Sequence, residues 1–236
     1  MPEPQKTPNV FNALDRDAPI DISSRNLPHW YQAGAATFVT FRTADSLPKQ
    51  AIDRMVAELT EWLAARNLPL HIASACLHNQ GVAYRNGLSQ LDRKQQRLFQ
   101  KVVSDWMHRS LDECYGDCLL RSPELSVIVA DAIRYFNGVR YDLDSFVVMP
   151  NHVHVLVQFR KEFDLQVIGS SWMRYTARLI NQKLGRRGIF WKPEPFDHLI
   201  RSPEHLAHFR SYIRENPRKA NLPTRDFLYW NRAELG

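Results

Sequence analysis

Three cysteines in 236 residues, Cys76, Cys114 and Cys118, are too few for a disulfide framework and fit a reducing compartment. No second cysteine or histidine pair at zinc-finger spacing accompanies Cys114 and Cys118, so these two read as packing residues. No uninterrupted apolar run approaches the ~18 residues that a membrane-spanning helix needs. The N-terminal stretch lacks the apolar core of a signal peptide, and a cytoplasmic protein is expected. Internal repeats are absent, as is low-complexity sequence beyond the N-terminal stretch. A Walker-type phosphate loop is also missing, which removes P-loop nucleotide chemistry.

What remains is an ordinary globular composition, 44% hydrophobic and 24% charged, long enough for one substantial core. The net charge of +6 is unevenly placed. Between Arg160 and Lys219 thirteen Lys/Arg face six Asp/Glu, so this stretch carries more than the whole excess. A polyanion, nucleic acid foremost, is the simplest partner for such a stretch, although a solvated basic surface has the same composition.

Residues 1–28 hold five of the fourteen prolines and read as a flexible arm. Ala35–Arg42 reads as a strand. Pro48 opens a helix to about Arg66, in which Ile52, Met55, Val56, Leu59, Trp62 and Leu63 recur at helical spacing. Residues 67–88 read as irregular, with room for a short hairpin. A long charged helix is expected over Ser89–Glu113, within a helical insertion at about 67–118. Ser122-Pro-Glu124 then starts a helix that buries Leu125, Ile128, Val129, Ile133 and Phe136. Another helix is expected over Asp164–Gly185. The last begins at Ser202-Pro-Glu204 and is expected to stop at Pro217. Phe190-Trp191 and Phe196–Ile200 read as hairpin or edge strands, and 223–236 as a C-terminal tail.

The run Phe146–Val157 is rich in β-branched residues and reads as a strand. Within it His152 and His154 are two apart, so both imidazoles leave one face, roughly 6–7 Å apart at the backbone. Met149, Val153, Val155 and Val157 are assigned to the opposite face. Such a pair is a workable bite for one divalent ion, and it equally describes two hydrogen-bonded histidines on a half-buried strand.

On the last helix Leu206, Phe209 and Ile213 form an apolar stripe, and His205, Tyr212 and Asn216 flank it, about 70° round the helix. Tyr212 and Asn216 stand at i and i+4, one above the other. Of the eight tyrosines only Tyr212 has a carboxamide at that position. An amide oxygen can complete a metal site begun by two imidazoles and would place the phenol beside it. Taken alone, the pattern also fits a packed tyrosine and an ordinary helix end.

The pair Met149-Pro-Asn-His-Val-His-Val-Leu-Val157 and Tyr212-Ile-Arg-Glu-Asn-Pro-Arg-Lys-Ala220 resembles the single-tyrosine branch of the HUH endonucleases, and most closely the REP-associated tyrosine transposases. Supporting stretches are Arg25–His29, Ala36–Arg42, Tyr175–Asn181 and Phe196–Arg201. The resemblance runs from about residue 25 to 222 and is weakest over 67–112. It implies an α+β fold with a ferredoxin-like antiparallel sheet in a single domain, 29–222, with the histidine strand central and the tyrosine helix across its face. By position it makes Tyr212 the nucleophile and His152, His154 and Asn216 ligands of Mg²⁺ or Mn²⁺. One departure is Arg174, where family members often carry Lys; the charge is kept and the hydrogen-bond geometry is not.

The resemblance further implies a metal-dependent endonuclease and strand transferase acting on single-stranded DNA hairpins, in the cytoplasm and at the nucleoid. Cleavage would pass through a 5′-phosphotyrosine. A hairpin-binding regulator that no longer cuts is the alternative on the same fold. A zinc hydrolase is a further reading of HxH, but no HxHxDH continuation follows His154. Expected DNA contacts are Arg174, Arg178, Arg186, Arg187, Arg201, Arg214 and Lys219; Trp191, Trp172, Tyr175 and Phe190 are aromatics that could stack on bases, although core or rim packing is the commoner role for any one of them. Arg16 and Arg25 of the arm are candidates for a groove, and Asp197 is read chiefly as a partner for an arginine. Monomer and homodimer both remain open, according to whether the tyrosine helix docks on its own histidines or on a neighbour's.

Overall fold

The computed structural model describes residues 11–235 except 16, 20, 25–27, 79 and 194. In chain order its strands and α-helices begin with a two-stranded ribbon, β1 (Asp21–Ser24) and β2 (Pro28–Tyr31), followed by β3 (Ala36–Arg42). Four helices come next: α1 (Lys49–Ala64), α2 (His71–Leu77), α3 (Gly81–Leu88) and α4 (Arg93–Asp112). Then follow α5 (Pro123–Arg134), β4 (Tyr141–Val148), β5 (His152–Phe159), α6 (Leu165–Lys183), β6 (Phe196–Leu199), α7 (Pro203–Lys219) and β7 (Leu228–Asn231).

The main sheet is antiparallel at every pairing, in the order β6-β3-β5-β4-β7. Strands β3, β4, β5 and β6 with their helical crossovers make the βαββαβ arrangement of a ferredoxin-like fold, and β7 extends it beyond β4. The histidine strand β5 is central, as expected. Strand alternation divides the side chains between two cores. Val39, Phe41, Phe146, Val153, Val155 and Val157 meet α5 and α6 on one face. Phe38, Val147 and Leu156 meet Leu206, Phe209 and Ile213 of α7 on the other. Met149 belongs with the α7 core, not with the valines of β5, because it lies in the β4–β5 turn and escapes the strand's alternation.

A third core holds α1–α4 together, around Met55, Leu59, Leu63, Ile72, Phe99, Trp106 and Leu111. Residues 67–88, read as irregular from sequence, form the helices α2 and α3. Their apolar residues, Ile72, Ala73, Tyr84 and Leu88, are buried against α1 and α4, so packing supplies what such short helices lack in propensity. Helix α4 starts at Arg93 because Asp92 caps it. The Asp92 carboxylate accepts from the Lys94 and Gln95 amides, and Gln95 Oε1 accepts in return from the Asp92 amide.

The ends of the chain are more engaged than expected. Arg16 and Arg25 lie outside the described residues. Described parts of the expected arm are packed: Phe11 is buried in the α7 core, the Leu14 amide donates to Ile200 O (2.7 Å) and Ala36 N donates to Asn12 O (2.8 Å). The expected tail holds β7, where Trp230 stacks on Phe146 with ring centroids 5.3 Å apart. Helix α7 does not stop at Pro217 but runs to Lys219. A proline there removes one amide near the helix end, and its ring is buried.

Two features seat α7 on the sheet. Phe38 and Phe209 stack with centroids 4.1 Å apart. A bulge in β4 leaves Asp144 without a partner on β5, and its largely buried carboxylate accepts from Arg210 Nε of α7 at 2.9 Å.

Candidate functional site

His152 and His154 project from β5 onto the α7 face, and both are fully buried. The turn before β5 sets the first ring. Met149 N donates to His152 O (2.8 Å), which closes the β4–β5 hairpin. Asn151 Nδ2 donates to Tyr115 O (2.8 Å), so the orientation of this carboxamide is fixed and its Oδ1 faces His152 Nδ1 at 2.8 Å. An amide oxygen only accepts; Nδ1 therefore carries the proton and Nε2 keeps its lone pair. His154 Nδ1 is paired with Thr40 Oγ1 of β3 at 2.7 Å, and its ring stacks on Phe38.

Helix α7 lays Tyr212 and Asn216 over these rings. The Tyr212 hydroxyl is 3.4 Å from His154 Nε2, within the same chain. Asn216 Nδ2 donates to that hydroxyl (3.1 Å) and to Asp112 Oδ1 (2.9 Å). Two buried polar side-chain atoms in the described residues have no hydrogen-bond partner, His152 Nε2 and Asn216 Oδ1. Both are electron-pair donors, and they belong to the two side chains that flank His154 and Tyr212. Leaving such atoms unpaired costs free energy, so their coincidence at one place is informative. No three His, Cys, Asp or Glu side chains among the described residues make a metal cluster by themselves; the unpartnered buried atom beside the two imidazoles is the Asn216 carboxamide oxygen.

Burial governs the electrostatics. His152 is pushed down to about 3, by desolvation first and then by His108, with Asn216 acting weakly the other way. His154 is likewise held well below the ordinary imidazole value by burial and by its histidine neighbours. Both rings are neutral at neutral pH, the state a metal ligand requires. Tyr212 moves upward, because burial and the nearby Asp112 both penalise phenolate. The protein's own groups therefore do not favour phenolate, although Lys219 Nζ stands 5.2 Å from the Tyr212 ring centre.

Two site residues escaped the sequence reading. His108 and Asp112, one turn apart on α4, both reach this face. The His108 ring lies 5.1 Å from that of Tyr212 and 5.7 Å from that of His154. Burial lowers His108 to about 4 and raises Asp112 to about 6. The only signal for them was their i, i+4 spacing. His198 of β6 also turns to this face, 6.4 Å from Phe38 and from His108. Its neighbour Asp197 pairs in register with Val39 and so points to the opposite face, away from the histidines.

The expected DNA contacts are divided. Lys219 and the exposed Arg214 are on α7, while Arg201 immediately precedes that helix. Arg174 and Arg178 are exposed on α6, in the layer on the other side of the sheet. Arg186 and Arg187 are exposed beyond the end of α6, where Arg186 lies 3.9 Å from Asp117. Trp191 is not available for stacking. It is 4% exposed, donates from Nε1 to Thr176 Oγ1 (2.8 Å) and packs edge-on against Phe41. Trp172 and Phe190 are buried in the same core, and Tyr175 alone of the four is exposed.

Residues 126–216 match the family model described as "Transposase IS200 like". The matched segment contains His152, His154, Tyr212 and Asn216, and it leaves out β3 and α1–α4. No curated protein matches the chain. Among solved structures the chain is similar to one described as "Structure of the REP associates tyrosine transposase bound to a REP hairpin", at 14% identity and a TM-score of 0.39. That match covers 81% of this chain and 71% of the other.

Proposed function

We propose, from the match of residues 126–216 to the IS200-like transposase family model, that the protein is a metal-dependent endonuclease and strand transferase for single-stranded DNA hairpins, with Tyr212 as nucleophile. The observation that carries this reading is the convergence on one buried spot of His152 Nε2, Asn216 Oδ1 and His154 Nε2, the last facing the Tyr212 hydroxyl. The donor set of two imidazoles and one amide oxygen can hold one divalent ion with positions left open; its nitrogens suit Zn²⁺ or Ni²⁺ as well, and the choice of Mg²⁺ or Mn²⁺ rests on the family resemblance. When bound, such an ion stabilises charge on a non-bridging oxygen of the scissile phosphate.

The residues do the rest. Tyr212 Oη attacks phosphorus, the bond from phosphorus to the 3′-oxygen breaks, and a 5′-phosphotyrosine forms. The phenol gives up its proton, and the leaving 3′-oxygen gains one through solvent. The bond energy is kept in the ester, so a 3′-hydroxyl from another strand reverses the step and joins the DNA without ATP. Hydrogen bonding from Asn216 and packing against Phe38 and His108 hold the phenol ring over His154 and reduce the orientational cost of attack. Because burial disfavours phenolate, ionisation of the phenol would draw on the positive charge that a bound ion supplies.

The test is a labelled single-stranded oligonucleotide with a hairpin, incubated with the protein and Mg²⁺ or Mn²⁺. A denaturant-resistant adduct that maps to Tyr212 is expected, and Tyr212→Phe should abolish cleavage while hairpin affinity stays within about twofold, since only an interaction made in the transition state is lost. Undiminished cleavage by Tyr212→Phe overturns the assignment. Hairpin retention with no adduct at any metal concentration marks the protein as a non-cleaving regulator.

A further inference from the structure

We infer that Asp112, brought in by the helical insert, is the positioning residue that turns the Asn216 carboxamide so that its oxygen faces the metal position; this rests on the metal reading proposed above. A carboxamide turned by 180° exchanges oxygen for nitrogen at almost no change in shape, so something outside Asn216 has to select the ligating orientation. Tyr212 cannot select it, because a hydroxyl donates or accepts equally well. Asp112 can. Its carboxylate accepts from Asn216 Nδ2 at 2.9 Å, and the reversed amide would set two acceptor oxygens against each other at that distance.

The consequence is visible in the structure. Both amide hydrogens are taken, one by Asp112 and one by the Tyr212 hydroxyl, and Oδ1 is left fully buried with no partner. Asp112 belongs to α4, before the segment that matches the transposase family, and the same insert supplies Tyr115 O, which orients Asn151 and through it His152. Two of the three expected ligands are thus aimed by groups of the insert. Outer-shell hydrogen bonds of this kind fix ligand orientation and contribute strongly to metal affinity.

The full chain without DNA is titrated with Mn²⁺ and free ion is followed by electron paramagnetic resonance, with thermal melts to establish folding. Asp112→Ala is expected to weaken Mn²⁺ binding by about 10–100-fold, the usual cost of losing an outer-shell partner. Asp112→Asn no longer excludes the reversed orientation, but its own amide can turn an oxygen toward Asn216 Nδ2 as the ion binds, so it forfeits only the choice between two orientations and is expected to stay within about threefold of the parent. Wild-type affinity in Asp112→Ala overturns the inference. So does a loss in Asp112→Asn as large as in Asp112→Ala, because the carboxylate would then act through its charge. Should Asp112→Ala fail to melt cooperatively, Asp112→Asn decides alone: near-parent binding supports the role and a loss of about tenfold or more ends it. If His152→Ala leaves Mn²⁺ binding untouched, the metal reading itself falls and takes this inference with it.

Discussion

Trp191 and Tyr175 lie in the same basic stretch, yet only Tyr175, 48% exposed, presents a ring to solvent. Trp191 is held by its hydrogen bond to Thr176 and by Phe41, with ring centroids 4.9 Å apart. Its contribution is therefore to the core between β3 and α6. Trp191→Ala should cost about 3–5 kcal/mol of stability, the range for removing a large buried aromatic, and strand the Thr176 hydroxyl without that donor. Urea unfolding measures the loss; hairpin affinity of the fraction that remains folded should be unchanged. A fall in affinity at unaltered stability would restore Trp191 as a stacking residue. The sequence could not separate these outcomes, because tryptophans that stack on bases and tryptophans that fill cores occur beside the same arginines. What differs is the tertiary partner.

Helix starts are a case where the same sequence signal leads to different local physics. Ser122-Pro-Glu124 and Ser202-Pro-Glu204 read identically, and both do begin helices. The Ser202 hydroxyl accepts from His205 N at 3.2 Å, whereas Ser122 makes no side-chain cap bond. Asp92 makes the fullest cap of the chain, at the helix that carries His108 and Asp112. Asp92→Ala should therefore cost about 1 kcal/mol, and Ser122→Ala only a few tenths, in a urea titration. Equal losses would show that the side-chain bond is not what stabilises these starts. Strand β5, helix α7 and the pairing of Tyr212 with Asn216 were legible from periodicity because their apolar stripes leave the functional positions beside them. The aim of α4 was not. His108 and Asp112 lie on the side of α4 away from its apolar stripe of Phe99, Val103, Trp106, Met107 and Leu111, and only the tertiary position of the helix shows that this polar pair meets α7. Pro217 misled for a related reason: a helix stop was read from a missing amide, while the structure buries the ring and continues the helix to Lys219.

At the scale of the molecule, the α7 face and the insert together enclose four histidines, and this sets how the fold answers acid. His108 and His198 are lowered to about 4 and His152 to about 3, in each case by burial first, and His154 is lowered as well. Each imidazole is thus neutral in the folded chain over a range where the unfolded chain, with a value near ~6.5, binds a proton. Their contribution to stability is complete above the unfolded value and drains away as pH falls from about 6.5 toward 4. Asp112 acts in the opposite sense. Raised to about 6, it favours the folded state below its unfolded value and loses that contribution as pH climbs through 6. One carboxyl opposes four imidazoles, so the melting temperature measured in EDTA should fall steeply between pH 6.5 and 4, with more than one proton taken up on unfolding. His198, bonded to Ser104 and outside the expected ligand set, isolates one of the four. His198→Gln should flatten the profile by about one proton over this interval, as the linkage relation requires. A variant profile parallel to that of the parent would mean that the acid response does not arise in the enclosed histidines, and the α7 face would have to admit water more freely than its packing implies.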